Sequence, residues 1–153
     1  MGLSIKRADF SDPGLVAFLQ AHLDDLEPTA PAESRHALDR RALQAPGIRL
    51  WVAKAGRQII GTGALAALEP GHEELKSMRT DPERRGQGIA TGILRHLVRD
   101  AQSRGVHRIS LETGSMDFFA PARRLYARAG FMPCSPFGPY IEDPNSVFMT
   151  KVL

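Results

Sequence analysis

The sequence predicts one domain, residues 1–153, of the mixed α+β class, on three observations. Short apolar runs read as strands, among them 48–55 and 107–113, each with a glycine close by at both ends, and 147–152 after a proline-rich loop. Ile89, Ile93, Leu97 and Ala101 recur every four residues with Leu94 and Val98 beside them, a buried stripe at the helical period. The two kinds of stretch interleave in the order β-α-α-β-β-β-α-β-α-β-β, which is not the strict alternation of a doubly wound sheet.

Composition narrows the class. At 42% hydrophobic and 24% charged, 153 residues are enough for a proper core and for solubility. No apolar run approaches the ~20 residues that cross a membrane. The N-terminus lacks the apolar centre of a signal peptide. A single cysteine, Cys134, excludes an internal disulfide and fits a reducing compartment, so a cytoplasmic protein is expected. Twenty basic residues against seventeen acidic give a net charge of +3, and the arginines are scattered. No basic block points to nucleic acid.

Taken in order, Leu3–Ala8 reads as the first strand. Ser11-Asp12-Pro13 opens a helix with a capping side chain and a proline in the first turn. Leu15, Leu19, Leu23 and Leu26 give that helix its apolar face. The run from Glu27 to Pro31 breaks it, and a weaker helix is predicted over Ala32–Ala45, closed by Pro46-Gly47. Ile48–Ala55 and Gln58–Leu68 form a hairpin about Gly56, with Gly61 and Gly63 marking a bulge or a close backbone approach. Pro70-Gly71 leads into a strand over Glu74–Thr80. Asp81-Pro82 opens a turn to Arg85, and the long helix follows, with Gly105 at its C′ position. His107–Thr113 is a strand, Pro121–Ala129 a helix ended by Gly130, Phe131–Cys134 a short strand. A loop with three prolines over Ser135–Ser146 precedes the last strand, Val147–Val152.

The strand, Arg/Gly-rich loop and helix over Glu74–Gly105 form the unit around which the chain is organised. Glycines let backbone N–H groups converge on one point. The first N–H groups of a helix have no internal partner and lie at the positive end of its dipole. The loop from Arg85 to Ala90 is therefore a candidate pyrophosphate cradle, with Arg79, Arg84 and Arg85 around it.

These residues resemble a family. Arg85-x-x-Gly88-x-Ala90 matches the Arg/Gln-x-x-Gly-x-Gly/Ala signature of the GNAT superfamily of N-acetyltransferases. Leu125-Tyr126-Ala127-Arg128-Ala129-Gly130-Phe131 matches its Leu-Tyr-x-x-x-Gly-Phe. The resemblance is clear from about Ile59 to Phe131. Leu111–Ser115 and Asp143–Thr150 further resemble a bacterial subgroup of small YsnE-like acetyltransferases. The resemblance implies a mostly antiparallel central sheet, splayed at its fourth and fifth strands and flanked by about four helices. It also implies acetyl-CoA as donor, with Arg85, Gly86, Gln87, Gly88, Ile89 and Ala90 around the pyrophosphate. Met78 and Thr80 would offer backbone groups to the pantetheine arm. Arg79 lies between them, its side chain directed to coenzyme A phosphates, to an acceptor carboxylate or to water, like Arg123 and Arg124. Homodimers are common in the family, but no exposed apolar helix here compels one.

Moving an acetyl group from a thioester to an amine needs a proton taken from the amine, a donor for the carbonyl oxygen and a proton for the departing thiolate. Tyr126 falls at the family's catalytic tyrosine and is the candidate general acid; packing of its ring is the plainer use. Glu74 falls where some members carry a strand glutamate and is the candidate base, directly or through water. Its neighbour Glu73 faces the opposite side of the strand. Glu112, Asn145 and Ser146 are candidate acceptor contacts, as is Tyr140. Family members often carry an asparagine three residues before the alanine that is Ala122 here; this chain has Phe119, with Ser115 or Asp117 as replacements. Cys134 has no evident base nearby, so direct attack is expected, on a primary amine of a small molecule and with no metal.

Other readings remain at this point. Gly86-x-Gly88 with Glu112 about 24 residues on resembles a dinucleotide fingerprint, but its third glycine is displaced and too few β-α units surround it. No Gly-Lys-Ser/Thr follows, so the loop is not a P-loop. A non-catalytic acyl-CoA-binding sensor would keep the loop and use Tyr126 structurally. The acceptor could also be a protein lysine or N-terminus, which an open peptide groove would separate from a closed pocket.

Overall fold

The computed structural model describes residues 3–29, 31 and 38–153. The predicted element order holds. Strand β1 is Ser4–Arg7, helix α1 Pro13–Leu26, and α2 Arg40–Leu43. Strands β2 (Ile48–Ala55), β3 (Gln58–Glu69) and β4 (His72–Thr80) follow, then helix α3 (Ile89–Ser103). Strand β5 (Arg108–Gly114), helix α4 (Ala120–Arg128), and strands β6 (Met132–Pro133) and β7 (Ser146–Val152) complete the chain. The second helix is shorter than its expected span of 32–45, of which residues 32–37 lie outside the described residues.

The ends of the elements have local causes. Asp12 caps α1 by accepting from the Gly14 N–H at 2.8 Å, and Pro13 needs no N–H in the first turn. Helix α3 closes as a Schellman turn: the Val106 N–H reaches the Ala101 carbonyl and the Gly105 N–H that of Gln102, with Gly105 at φ +80°.

The seven strands form one sheet in the order β1-β2-β3-β4-β5-β7-β6. Every pair is antiparallel except β4–β5. Helix α3 covers one face, packing Ile89, Ile93, Leu97 and Ala101 with Leu65, Leu75, Ile109 and Leu111, and Tyr126 of α4 joins this cluster. Helices α1 and α2 cover the other face with Leu15, Leu19 and Leu43 on Leu50, Val52 and Ala64. At Gly61 and Gly63 side chains of α3 lie close against the strand. A Cβ on Gly61 would stand 2.6 Å from Ile93 Cδ1, and one on Gly63 2.8 Å from Ile93 Cγ2.

The β4–β5 ladder is short. It pairs His72 with Arg108 and ends at Leu75 with Leu111. Beyond that point β4 keeps only β3, and it does so through a bulge: Ala64 faces Lys76 but Thr62 faces Arg79. Ser77 absorbs the extra residue at φ +55°, and its carbonyl accepts the Thr62 hydroxyl at 2.8 Å. The strands therefore part where the resemblance implies a splay.

Candidate active site

Two cavities meet at this parting. The larger, about 550 Å³, runs along Met78, Arg79 and Thr80 and past Arg84, Arg85, Gly86, Gly88, Ile89 and Ala90 to α4. The smaller, about 150 Å³, is lined by Glu74, Lys76, Glu112, Thr113 and Asn145. Both are lined by Tyr126, Met78, Phe119, Ala122, His22 and Leu26.

The cradle follows from its glycines. Gly86 lies at φ +78° and Gly88, which caps α3, at φ +79°, a conformation that costs other residues about 1–2 kcal/mol. Nothing lies within 4 Å of a Cβ built on either. Open space above them, free N–H groups at the start of α3 and Arg84 and Arg85 along the wall together fit a pyrophosphate. Gln87 is exposed and lines neither cavity. The Arg79 guanidinium is used elsewhere: it donates to Asp25 of α1 at 2.7 Å and lies 5.4 Å from the Phe18 ring centre. Arg79 thus meets the cleft while its charge ties β4 to α1.

Tyr126 is 6% exposed, and burial pushes its phenol well above the ordinary value, so the hydroxyl keeps its proton. Its ring meets Phe131 edge-on at 5.9 Å. Glu74 belongs to the opposite face. Glu73 points to α3, where Arg104 holds it in a fork at 2.7 and 2.8 Å. By strand alternation Glu74 points the other way. There its Oε2 accepts the Tyr140 hydroxyl at 2.5 Å and Lys76 Nζ at 3.3 Å. Tyr126 and Glu74 thus approach the strand gap from opposite faces of the sheet.

Glu112 and Asn145 line the smaller cavity, but Ser146 lines neither. Ser146 pairs with Gly114 in the sheet, and its buried hydroxyl has no hydrogen-bond partner among the described residues. Phe119 sits against Gly114, where a Cβ would come within 2.1 Å of the ring. Neither proposed replacement for an asparagine reaches the site: Ser115 donates to the Pro144 carbonyl at 2.7 Å, and Asp117 is exposed. Arg123 is spent on the carbonyls of Gly114 and Met116. Cys134 lines neither cavity, and burial raises its thiol against a smaller opposing effect of Arg108.

Sequence reasoning missed two residues. His22 lines both cavities, and burial, followed by the charge of Arg79, pushes its imidazole down to about 4. Its signal was available, since it continues the stripe Leu15, Leu19, Leu26 at helical spacing. Lys76 stands two residues beyond Glu74 on the same strand face, which the period of two would have revealed. Among the described residues no helix is long and apolar enough to cross a membrane.

Known proteins share this fold. The profile of the acetyltransferase (GNAT) family matches residues 15–131. The chain is 45% identical over 151 residues to the uncharacterized N-acetyltransferase YsnE of Bacillus subtilis, covering 99% of this chain and all of that one. It is 41% identical to the uncharacterized N-acetyltransferase YedL of Escherichia coli, covering 98% of this chain and 94% of the relative. Among solved structures, a putative acyl-CoA N-acyltransferase from Klebsiella pneumoniae superposes with a TM-score of 0.78 at 30% identity, over 99% of this chain and 97% of that one. The chain belongs to the acetyltransferase (GNAT) family and is an acetyl-CoA-dependent N-acetyltransferase.

Proposed function

We propose that the acceptor is a primary amine of a small molecule, acetylated by direct attack, with Glu74 as base and Tyr126 as acid. The observation that carries this reading is the meeting of the two cavities at Tyr126. The larger has the glycine-lined wall that suits the pyrophosphate of acetyl-CoA, which supplies the acetyl group as an activated thioester. The smaller has about the size of a cavity that accepts benzene, room for one amine-bearing group.

Each residue then has one task. Arg84, Arg85 and the N–H groups from Gly86 to Ala90 bind the pyrophosphate. The edge of β4 freed beyond Leu75 offers Met78 and Thr80 backbone groups to the pantetheine arm, as an added strand would use them. The Met78 N–H donates to the carbonyl oxygen. Glu74 takes a proton from the amine, and Tyr126 Oη gives one to the sulfur. Glu112 and Asn145 orient the acceptor. Phe119 and Leu26 exclude water, and holding the amine against the thioester supplies much of the rate.

Thermal shift with acetyl-CoA, NADH and ATP, followed by turnover on a panel of small amines, tests the reading. At 100 times its dissociation constant, acetyl-CoA stabilises by about 2.7 kcal/mol, or roughly 5–10 °C. A shift with NADH alone overturns the cradle. Binding without turnover on any amine makes the protein a sensor.

A further inference from the structure

We propose that Tyr140 is a positioning residue for acetyl transfer, fixing Glu74 so that its second carboxylate oxygen faces the acceptor amine. The inference rests on the reading of Glu74 as base, which it deepens.

Glu74, Lys76 and Tyr140 form a closed triangle. The Tyr140 hydroxyl donates to Glu74 Oε2 at 2.5 Å. Lys76 Nζ donates to the same oxygen at 3.3 Å and to the Tyr140 hydroxyl at 2.9 Å. Both donors therefore fall on Oε2, and Oε1 takes no hydrogen bond among the described residues. The side chains of Glu74 and Lys76 are 8% and 12% exposed, so little water competes for them. A carboxylate held on one oxygen by two donors keeps a single orientation, and a base must be oriented before it is useful.

Tyr140 suits this task because it is itself held. Its ring meets Phe137 edge-on at 5.2 Å and Phe148 at a tilt at 5.6 Å, and Lys76 Nζ lies 5.6 Å from its centre. The segment that carries it is tied down where the Pro144 carbonyl accepts the Ser115 hydroxyl. Burial, then the bond to Glu74, keeps the phenol protonated far above its ordinary value, so it stays a donor. Lys76 alone would leave the carboxylate free to swing about one long contact. The short bond from Tyr140 sets the angle.

A double-mutant cycle with Glu74→Gln and Tyr140→Phe tests this, reading kcat, the acceptor KM, melting temperature and the acetyl-CoA thermal shift. Tyr140→Phe keeps the ring and its packing. It is expected to lower kcat by about tenfold or more, leaving acceptor KM and the acetyl-CoA shift nearly unchanged. In the Glu74→Gln background the same change is expected to cost nothing further. Two outcomes overturn the proposal while the base assignment stands: full kcat in Tyr140→Phe, or losses that multiply in the double variant. Full kcat in Glu74→Gln overturns the base assignment and this inference with it.

Discussion

Leu75 and Leu111 are the last partners of the β4–β5 ladder, and past them the sheet opens. Both side chains are buried under α3, at 4% and 1% exposure, so the strands are held together up to this pair. Two residues further Ser77 turns through φ +55°, and the bulge carries the rest of β4 away with β3. The gap exposes backbone groups without leaving a raw sheet edge, because α3 and α4 flank it.

Tyr126→Phe isolates the proton donor. The ring and its edge-on contact with Phe131 remain, so melting temperature and acetyl-CoA binding should barely change. Steady-state kcat is expected to fall by about 10- to 1000-fold. Unchanged turnover would remove Tyr126 from the chemistry and leave it a core residue.

Gly88→Glu isolates the cradle. The change forces a side chain into φ +79° at about 1–2 kcal/mol and puts a carboxylate where the pyrophosphate binds. Nothing within 4 Å of the new Cβ opposes it, so the domain should stay folded. The acetyl-CoA thermal shift is expected to vanish while circular dichroism stays that of the parent; a retained shift would move the cofactor site elsewhere.

Gly63→Ala tests the close approach of α3. The added methyl meets Ile93 Cγ2 and Met78 Sδ at 2.8 Å and Leu97 Cδ1 at 2.9 Å, so no side moves freely. Overpacking of this kind costs about 1–3 kcal/mol. Calorimetry should show the melting temperature lower by roughly 2–4 °C per kcal/mol, and a neutral result would mean that α3 shifts as a body.

The unit from β4 through α3 was legible because its signals are local. The period of four in α3, the glycines at Gly86 and Gly88 and the alternation that separates Glu73 from Glu74 all act within a few residues. What escaped lies in distant pairings. Tyr140 meets Glu74 from 66 residues away, and no periodicity links them. Arg79 read as a charge for the cleft, yet Asp25 in α1 takes it, 54 residues earlier in the chain. Phe119 stood out only as a departure from the family's asparagine, but opposite it stands Gly114, the one residue type with room for a ring there. His22 was hidden for another reason: a polar residue on an apolar stripe reads as a gap until the cavity beside it is seen.

His22 should leave a mark on stability against pH. Burial and the charge of Arg79, opposed by Asp25, bring its imidazole from 6.5 down to about 4. The folded protein therefore holds His22 neutral where the unfolded chain already protonates it. Well above pH 6.5 neither state binds the proton and its contribution to stability is complete. Between about pH 6.5 and 4 the unfolded state binds more protons, so stability falls as pH falls. The full difference corresponds to at most about 3 kcal/mol, less where the cavities wet the ring. Denaturant titrations from pH 8 to 4 should show this slope in the parent and a flatter one in His22→Gln. Asp25, Glu74 and Glu112 are present in both proteins, so the comparison isolates His22. Equal slopes in the two would mean that His22 is open to solvent, and that α1 does not close the junction of the two cavities.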